Sequence, residues 1–266
     1  MENNKYSWDS HDYARHSTAQ FAWATELIAK LNLSGSENLL DMGCGDGKVS
    51  AALASMLPRG RVTAIDSSPD MIGLARETHA PDTFPNLTFL LKDVLDMDFS
   101  DAFDIAFSNA ALHWVKDHER VLANTSRALK TGGRLLFQMG GRGNASEILD
   151  TFGQLMGEPA WRAYFEGFVF PYGFHGPEEY RPWLNKAGLR EHRVELLPKD
   201  MTQAGKEGLA GWIRTTWLPY TRRVPEDLRG EFISAITDAY IKAHPADEKG
   251  FVHVPMVRLE VEAVKV

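Results

Sequence analysis

The sequence predicts an α/β fold: a doubly wound, mostly parallel sheet of seven strands with an antiparallel edge strand and a helical cover. Three observations carry that expectation. Short apolar runs alternate with helix-like segments from Asn38 to Met139, as successive βαβ units require. The first run, NLLDM, leads into the glycine-rich GCGDG and then the helix-like KVSAALASML, which reads as strand, ligand-cradling loop and helix. Near the end, VHVPMVRLEVEAVKV (252–266) alternates Val and Leu with Glu and Lys, the period of a half-exposed strand. It can pair antiparallel with LREHRVELL (189–197) at one edge of the sheet.

Within residues 1–35, Phe21, Trp23, Leu27, Ile28 and Leu31 recur at helical spacing until Asn32 and Gly35 stop the pattern, predicting an N-terminal helical cap. Residues 36–140 form the predicted core. Its strands are 38–42, RVTAID (61–66), LTFLLKD (87–93), FDIAFSN (103–109) and RLLFQM (134–139). Helices fall between them from Ser68 or Pro69 to about His79 and from about Asp117 to Leu129, and KTGG forms the turn before the last strand. Residues 141–266 are rich in Trp, Tyr, Phe, Pro and Gly, with helical stretches near 144–157, 177–187, 203–217 and 226–243. They read as a substrate cover inserted around the last two strands. Residues 1–35, 140–186 and 198–250 are expected to close over a bound ligand and exclude water.

The chain has 29 Lys and Arg against 36 Asp and Glu, a net charge of −7, which argues against a general nucleic-acid binder because phosphate neutralisation needs a basic surface. The one cysteine, Cys44, excludes an internal disulfide and fits a reducing compartment. Neither an export signal nor a spanning apolar stretch is legible. A cytoplasmic protein without membrane or nucleic-acid partners, a monomer or a weak homodimer, is therefore expected. Nine histidines include no i,i+4 pair and no Cys/His cluster, so no metal is predicted.

In DMGCGDGK the glycines fall at 43, 45 and 47, giving G-x-G-x-G in place of the G-x-G-x-x-G of nicotinamide dehydrogenases. Asp41, at the strand end before the loop, would repel pyrophosphate but pair with an ammonium group. Nineteen residues after Gly47, Asp66 ends the second strand, where a carboxylate can accept from both hydroxyls of a ribose. Asp93 closes the third strand, placed to accept from an exocyclic adenine amine. Asp46 and Lys48 fit a solvated loop equally well.

An acidic residue, an apolar residue and GxGxG resemble the first motif of the class I S-adenosylmethionine-dependent methyltransferases, a Rossmann-like family, with Met42 where leucine is usual. That resemblance implies S-adenosylmethionine as cofactor, lined by Asp41, Gly43, Gly45, Asp66, Met71, Asp93, Val94 and Ser108. After the fourth strand the chain reads SNAALHWVKDH, not the Asn/Asp-Pro-Pro-Tyr motif of amide and adenine-amine methyltransferases. Cys44 lacks a partner for attack on cytosine and reads as a packing residue.

SNAALHWV, the Tyr13-to-Gln20 spacing and the late pattern from Trp217 and LPY through PEDLRGEF to RLEVEAVK are similar to the trans-aconitate methyltransferase group. The first two features are also similar to juvenile-hormone-acid methyltransferases. The resemblance implies that Tyr13, Gln20, His113 and Trp114 meet at the sulfonium and acceptor. Arg214, Tyr220 and Arg222, with Arg223 beside them, are the predicted substrate contacts, since arginine holds a carboxylate bidentately; Arg258 and Tyr240 are weaker candidates of the same type. The expected reaction is O-methylation of a small polycarboxylic acid, which needs no general base because the acceptor is already ionised. A methyltransferase for a carrier-bound or hydrophobic acid and a non-catalytic cofactor-binding protein remain open.

Overall fold

The computed structural model describes residues 18–266 and, in its first helix, the side chains from Trp23 onward. In chain order its elements are α1 (Thr18–Ala29), β1 (Asn38–Met42), α2 (Lys48–Met56), β2 (Arg61–Asp66), α3 (Pro69–Thr78), β3 (Leu87–Leu91), β4 (Phe103–Asn109), α4 (His118–Ala128) and β5 (Leu129–Gly140). They continue with α5 (Ser146–Met156), α6 (Pro177–Lys186), β6 (Leu189–Ala204), α7 (Gly205–Thr216), α8 (Leu218–Thr221), α9 (Glu226–Ala243) and β7 (Phe251–Lys265).

The chain divides into two compact units. One comprises Gln20–Arg142, Tyr172–Leu197 and Arg258–Val266; the other, among the described residues, is built from Gly143–Pro171 and Pro198–Val257. The seven strands are ordered β3-β2-β1-β4-β5-β7-β6. Pairs β1–β2, β2–β3, β1–β4 and β4–β5 are parallel, and β7 runs antiparallel to β5. The strand order reverses between β1 and β4, the switch point where a doubly wound sheet opens a crevice at its carboxyl edge.

Alternation along the strands sorts side chains to two faces. Leu40, Met42, Ala106, Leu135, Phe137 and Met139 pack one core with Leu259 and Val261. Leu39, Ile105, Phe107 and Leu136 pack the other with Leu27, Ile28 and Leu31 from the α1 segment. The N-terminal helix predicted as a cap is thus buried against the sheet, because its Leu27, Ile28 and Leu31 stripe finds the apolar face it needs.

Strand boundaries differ from the sequence reading at three places. β3 ends at Leu91, so Asp93 lies two residues beyond the strand, where its side chain caps the 3-10 turn that follows. The KTGG turn lies inside β5: two steps along β4, Phe103 to Ile105, oppose five along β5, Leu129 to Arg134, an irregularity in which Gly132 takes φ +77°. β6 runs past residue 197 to Ala204 and includes Pro198; it is the outermost strand of the sheet, the place where a sheet accommodates proline.

The other unit is held by aromatic packing. Along α9, Phe232, Ile233, Ile236, Thr237 and Tyr240 are buried, one stripe of a helix. Phe232 meets Trp161 at 5.1 Å and Phe165 at 5.4 Å, while Phe152 lies 4.4 Å from Tyr220.

Candidate active site

The glycine loop is shaped by what stands around it. Gly43, at φ +76°, approaches the exit of β4 so closely that a Cβ would lie 2.2 Å from that of Ala111. Gly45, at φ +55°, faces open space, with nothing within 4 Å of the same position. The Gly43 and Cys44 amides donate to the Ile65 carbonyl at 2.8 and 3.0 Å, fastening the loop to β2. Gly47, at φ +82°, starts α2 where a Cβ would strike the Phe89 ring. The loop is therefore a rigid cradle with one open side, at Gly45.

Three carboxylates border it. Asp41 is buried and accepts from the Ser50 hydroxyl at 2.6 Å; burial, with the Asp66 charge adding, pushes its pKa up to about 7. Asp66 accepts the Gly45 amide at 3.0 Å and the Ser68 amide at 2.9 Å. Burial raises its pKa, and Asp93 adds to the rise. Asp93 accepts the Leu95 amide at 2.9 Å. Carboxylates that repel one another, with Asp41 buried and Asp66 and Asp93 partly so, suit a ligand bringing positive charge and hydroxyl donors. Met71 and Val94 are buried beside them, 4 % and 8 % exposed. Asp46 pairs with Lys48 at 3.1 Å. Ser108 takes a different part from the predicted cofactor contact: it lies on the other face of the sheet, its buried hydroxyl donating to the Met42 carbonyl at 2.7 Å, and so pins the end of β1 to β4.

Beyond β4, a 3-10 turn (Leu112–Trp114) carries His113 and Trp114. The Gly173 amide donates to the His113 carbonyl at 2.8 Å and draws in Tyr172 and Phe174, whose rings stack at 5.2 Å. The His113 ring centre lies 5.8 Å from Trp114 and 5.9 Å from both Tyr172 and Phe174. Its Nδ1 is shut away from solvent and has no hydrogen-bond partner among the described residues. Burial drives its pKa well below the ordinary range, and the Arg258 charge adds to this, so the ring is neutral at pH 7.

Of the other predicted residues, Tyr13 lies outside the described residues, and Gln20 is in α1 with its side chain undescribed. Arg214, Tyr220 and Arg222 belong to the second unit. Arg214 and Arg222 are exposed, whereas Tyr220 is a core ring, 3 % exposed, between Phe152 and Phe168. Tyr240 is also buried there, donating to the His253 carbonyl at 2.9 Å. Ser50, Tyr172 and Phe174 escaped sequence reasoning. Ser50 is one of several small residues on α2, and Tyr172 and Phe174 reach His113 only through the fold. Among the described residues no group of three or more His, Cys, Asp or Glu could hold a metal ion.

A doubly wound sheet with an acid-flanked glycine cradle at its switch point defines a nucleotide-cofactor-binding protein of the α/β class. The family profile described as "Methyltransferase domain" matches residues 40–137. An uncharacterized methyltransferase of Schizosaccharomyces pombe is 34 % identical over 207 residues, 74 % of this chain and 78 % of its own length. A trans-aconitate 2-methyltransferase of Methylobacterium nodulans is 27 % identical over 260 residues, 95 % of this chain and 96 % of its own. Among solved structures, a putative methyltransferase from Bacillus halodurans superposes with a TM-score of 0.63 at 17 % identity, covering 92 % of this chain and 99 % of that one. This chain belongs to the S-adenosylmethionine-dependent methyltransferases. No helix among the described residues is long and apolar enough to cross a membrane.

Proposed function

We propose that the enzyme methylates a carboxylate oxygen of a small polycarboxylic acid. The observation that carries this reading is the likeness, along 95 % of the chain, to a protein named trans-aconitate 2-methyltransferase. The site chemistry agrees with it. A carboxylate acceptor with a pKa near about 4 is ionised at pH 7 and needs no base, and the neutral, apolar-walled His113 is suited to holding one hydrogen bond.

On this reading Asp41 pairs with the ammonium of the cofactor's methionyl group, and Asp66 accepts from its ribose hydroxyls. Asp93 and Val94 face its adenine, with Met71 beside them, and the open side of Gly45 lets the ligand lie against the loop backbone. Ser50 and Ser108 act through others, aiming Asp41 and fixing the end of β1. Bound S-adenosylmethionine supplies a methyl carbon on a sulfonium: the acceptor oxygen bonds to that carbon as the C–S bond breaks, leaving a thioether and a neutral ester with no net proton change. The protein's contribution is orientation and exclusion of water around the acceptor, for which the His113, Trp114, Tyr172 and Phe174 rings provide a wall. Tyr13 and Gln20 are proposed to complete the acceptor side.

The test is incubation of the full chain with S-adenosylmethionine and a panel of di- and tricarboxylic acids, read by mass spectrometry for products one methyl group heavier. Formation of a methyl ester from a tricarboxylic acid is the expected result. Cofactor binding with no ester from any acid would discard the reading and bring forward a carrier-bound acid or a non-catalytic binding protein.

A further inference from the structure

We propose that Arg258 is the clamp for the acceptor's carboxylate, working with the His113 ring on the opposite side of the β4 exit from the acidic cofactor cradle. The inference deepens the carboxylate-acceptor reading above and rests on it.

Placement comes first. The β5–β7 register sets Arg258 opposite Gly140, at the carboxyl edge where β1 presents Asp41 and β2 presents Asp66. Along β5, Leu136, Gln138 and Gly140 share one face, and Leu136 packs with Leu39, two residues before Asp41. Arg258 and Asp41 therefore look out from the same face of the sheet. β1 and β7 are separated by β4 and β5, three strand spacings or about 14 Å. The crevice thus has an anionic wall and a cationic wall, with the β4 exit and His113 between them. That polarity matches a reaction joining a cationic donor to an anionic acceptor.

The environment of Arg258 comes second. It is 3 % exposed, and its guanidinium carbon lies 5.5 Å from the centre of the Trp23 ring. Arginine keeps its charge when buried, and its planar fork matches a carboxylate in two parallel hydrogen bonds. The buried Nδ1 of His113, without a hydrogen-bond partner among the described residues, is a second and independent sign of a ligand, because buried polar atoms in native proteins are almost always paired. By contrast, Arg214 and Arg222 are exposed, where water and salt weaken a single ion pair.

The experiment measures binding of trans-aconitate, and of monoamides of the same acid, to the full chain saturated with S-adenosylhomocysteine, alongside KM and kcat for ester formation. Arg258→Gln is expected to weaken acid binding and raise KM by about 10- to 100-fold, the scale of a lost charge-assisted pair, with S-adenosylhomocysteine affinity retained. Arg258→Lys should fall between. The wild type should bind the monoamide that removes the clamped charge about as poorly as Arg258→Gln binds the acid, and the two changes together should add little. A merely structural arginine would not reproduce that coupling, which the Lys variant also tests should Arg258→Gln fail to fold. Acid binding and KM unchanged in Arg258→Gln would overturn the clamp and leave the acceptor reading standing. Arg258-dependent acid binding with no ester formed would keep the clamp and discard the acceptor reading, and a wild type that binds no acid would overturn both.

Discussion

Gly43 and Ala111 stand so close that a single methyl group on the glycine would overlap the alanine, with 2.2 Å between the two Cβ positions. The β1 loop and the β4 exit are thereby locked at van der Waals distance. Gly43→Ala combines that overlap with a left-handed φ of +76°, so a loss of about 2–4 kcal/mol is expected, read as a lowered denaturation midpoint. Gly45→Ala separates the two functions of the loop. At φ +55° with open space before it, it should lose only about 1 kcal/mol of stability yet bind S-adenosylmethionine at least about ten-fold more weakly, because the methyl occupies the ligand's side of the cradle. Equal cofactor affinity in Gly45→Ala and wild type would show that the ligand does not approach the loop there.

Asp41 predicts a pH dependence of cofactor binding. Burial and Asp66 hold its pKa at about 7, above the usual carboxylate value of about 4. A raised carboxyl pKa means that the folded protein keeps a proton the unfolded chain releases. The ligand-free fold is accordingly favoured at low pH and loses that advantage as pH climbs from about 4 to about 7. Pairing with an ammonium group requires the ionised form, so binding at pH 6 should release close to one proton and at pH 8 almost none. Affinity should rise by up to about ten-fold over the same interval. Calorimetry in buffers of different ionisation enthalpy measures the release, which should shrink in Asp41→Asn. An identical release in that variant would remove Asp41 from the ammonium site.

Sequence periodicity was enough to place β2 and β4 at their observed ends, because each is an apolar run closed by turn residues. The acids at 41, 66 and 93 were legible as a set because parallel strands bring their carboxyl ends to one edge. What stayed hidden depends on contacts distant in sequence. Nothing local distinguishes the buried Arg258 from the exposed Arg214 and Arg222; burial of Arg258 follows from the β5–β7 register and the Trp23 ring above it. Tyr220 stands in an aromatic-rich segment that reads equally as pocket wall or core, and packing against Phe152 decides for core. The Ser108 hydroxyl faces away from Asp41 because neighbours along a strand alternate faces, a consequence visible only once the register is known.

Glu260 has no exposed side-chain surface and is the hub of a charged cluster with Lys30, Arg193 and Gln138. Lys30 follows α1 directly, so the cluster ties the N-terminal helix to the last strand. Both cations are partly exposed, 38 % and 28 % for their side chains, and can turn to water once the carboxylate is gone. Glu260→Gln is therefore expected to destabilise by about 2–3 kcal/mol, at or just below the range of about 3–5 kcal/mol for a broken buried pair, in urea denaturation followed by tryptophan fluorescence. A shift under about 0.5 kcal/mol would mean that the cluster contributes specificity of pairing and little stability.

Cys44 sits in the glycine loop, 7 % exposed, and its position there could be mistaken for that of a nucleophile. Burial pushes its thiol pKa well up, with Asp41 and Asp66 adding to the rise, the reverse of what a reactive cysteine needs. At pH 8 the folded protein should react with a disulfide reagent at least about a hundred-fold more slowly than the urea-unfolded chain, since attack requires an exposed thiolate. Cofactor should slow it further by holding the loop closed. Cys44→Ala should keep methyl transfer within about two-fold and lose about 1 kcal/mol of stability, the scale of a small cavity. Rapid labelling of the native protein, or loss of turnover in Cys44→Ala with cofactor affinity intact, would return the thiol to the chemistry.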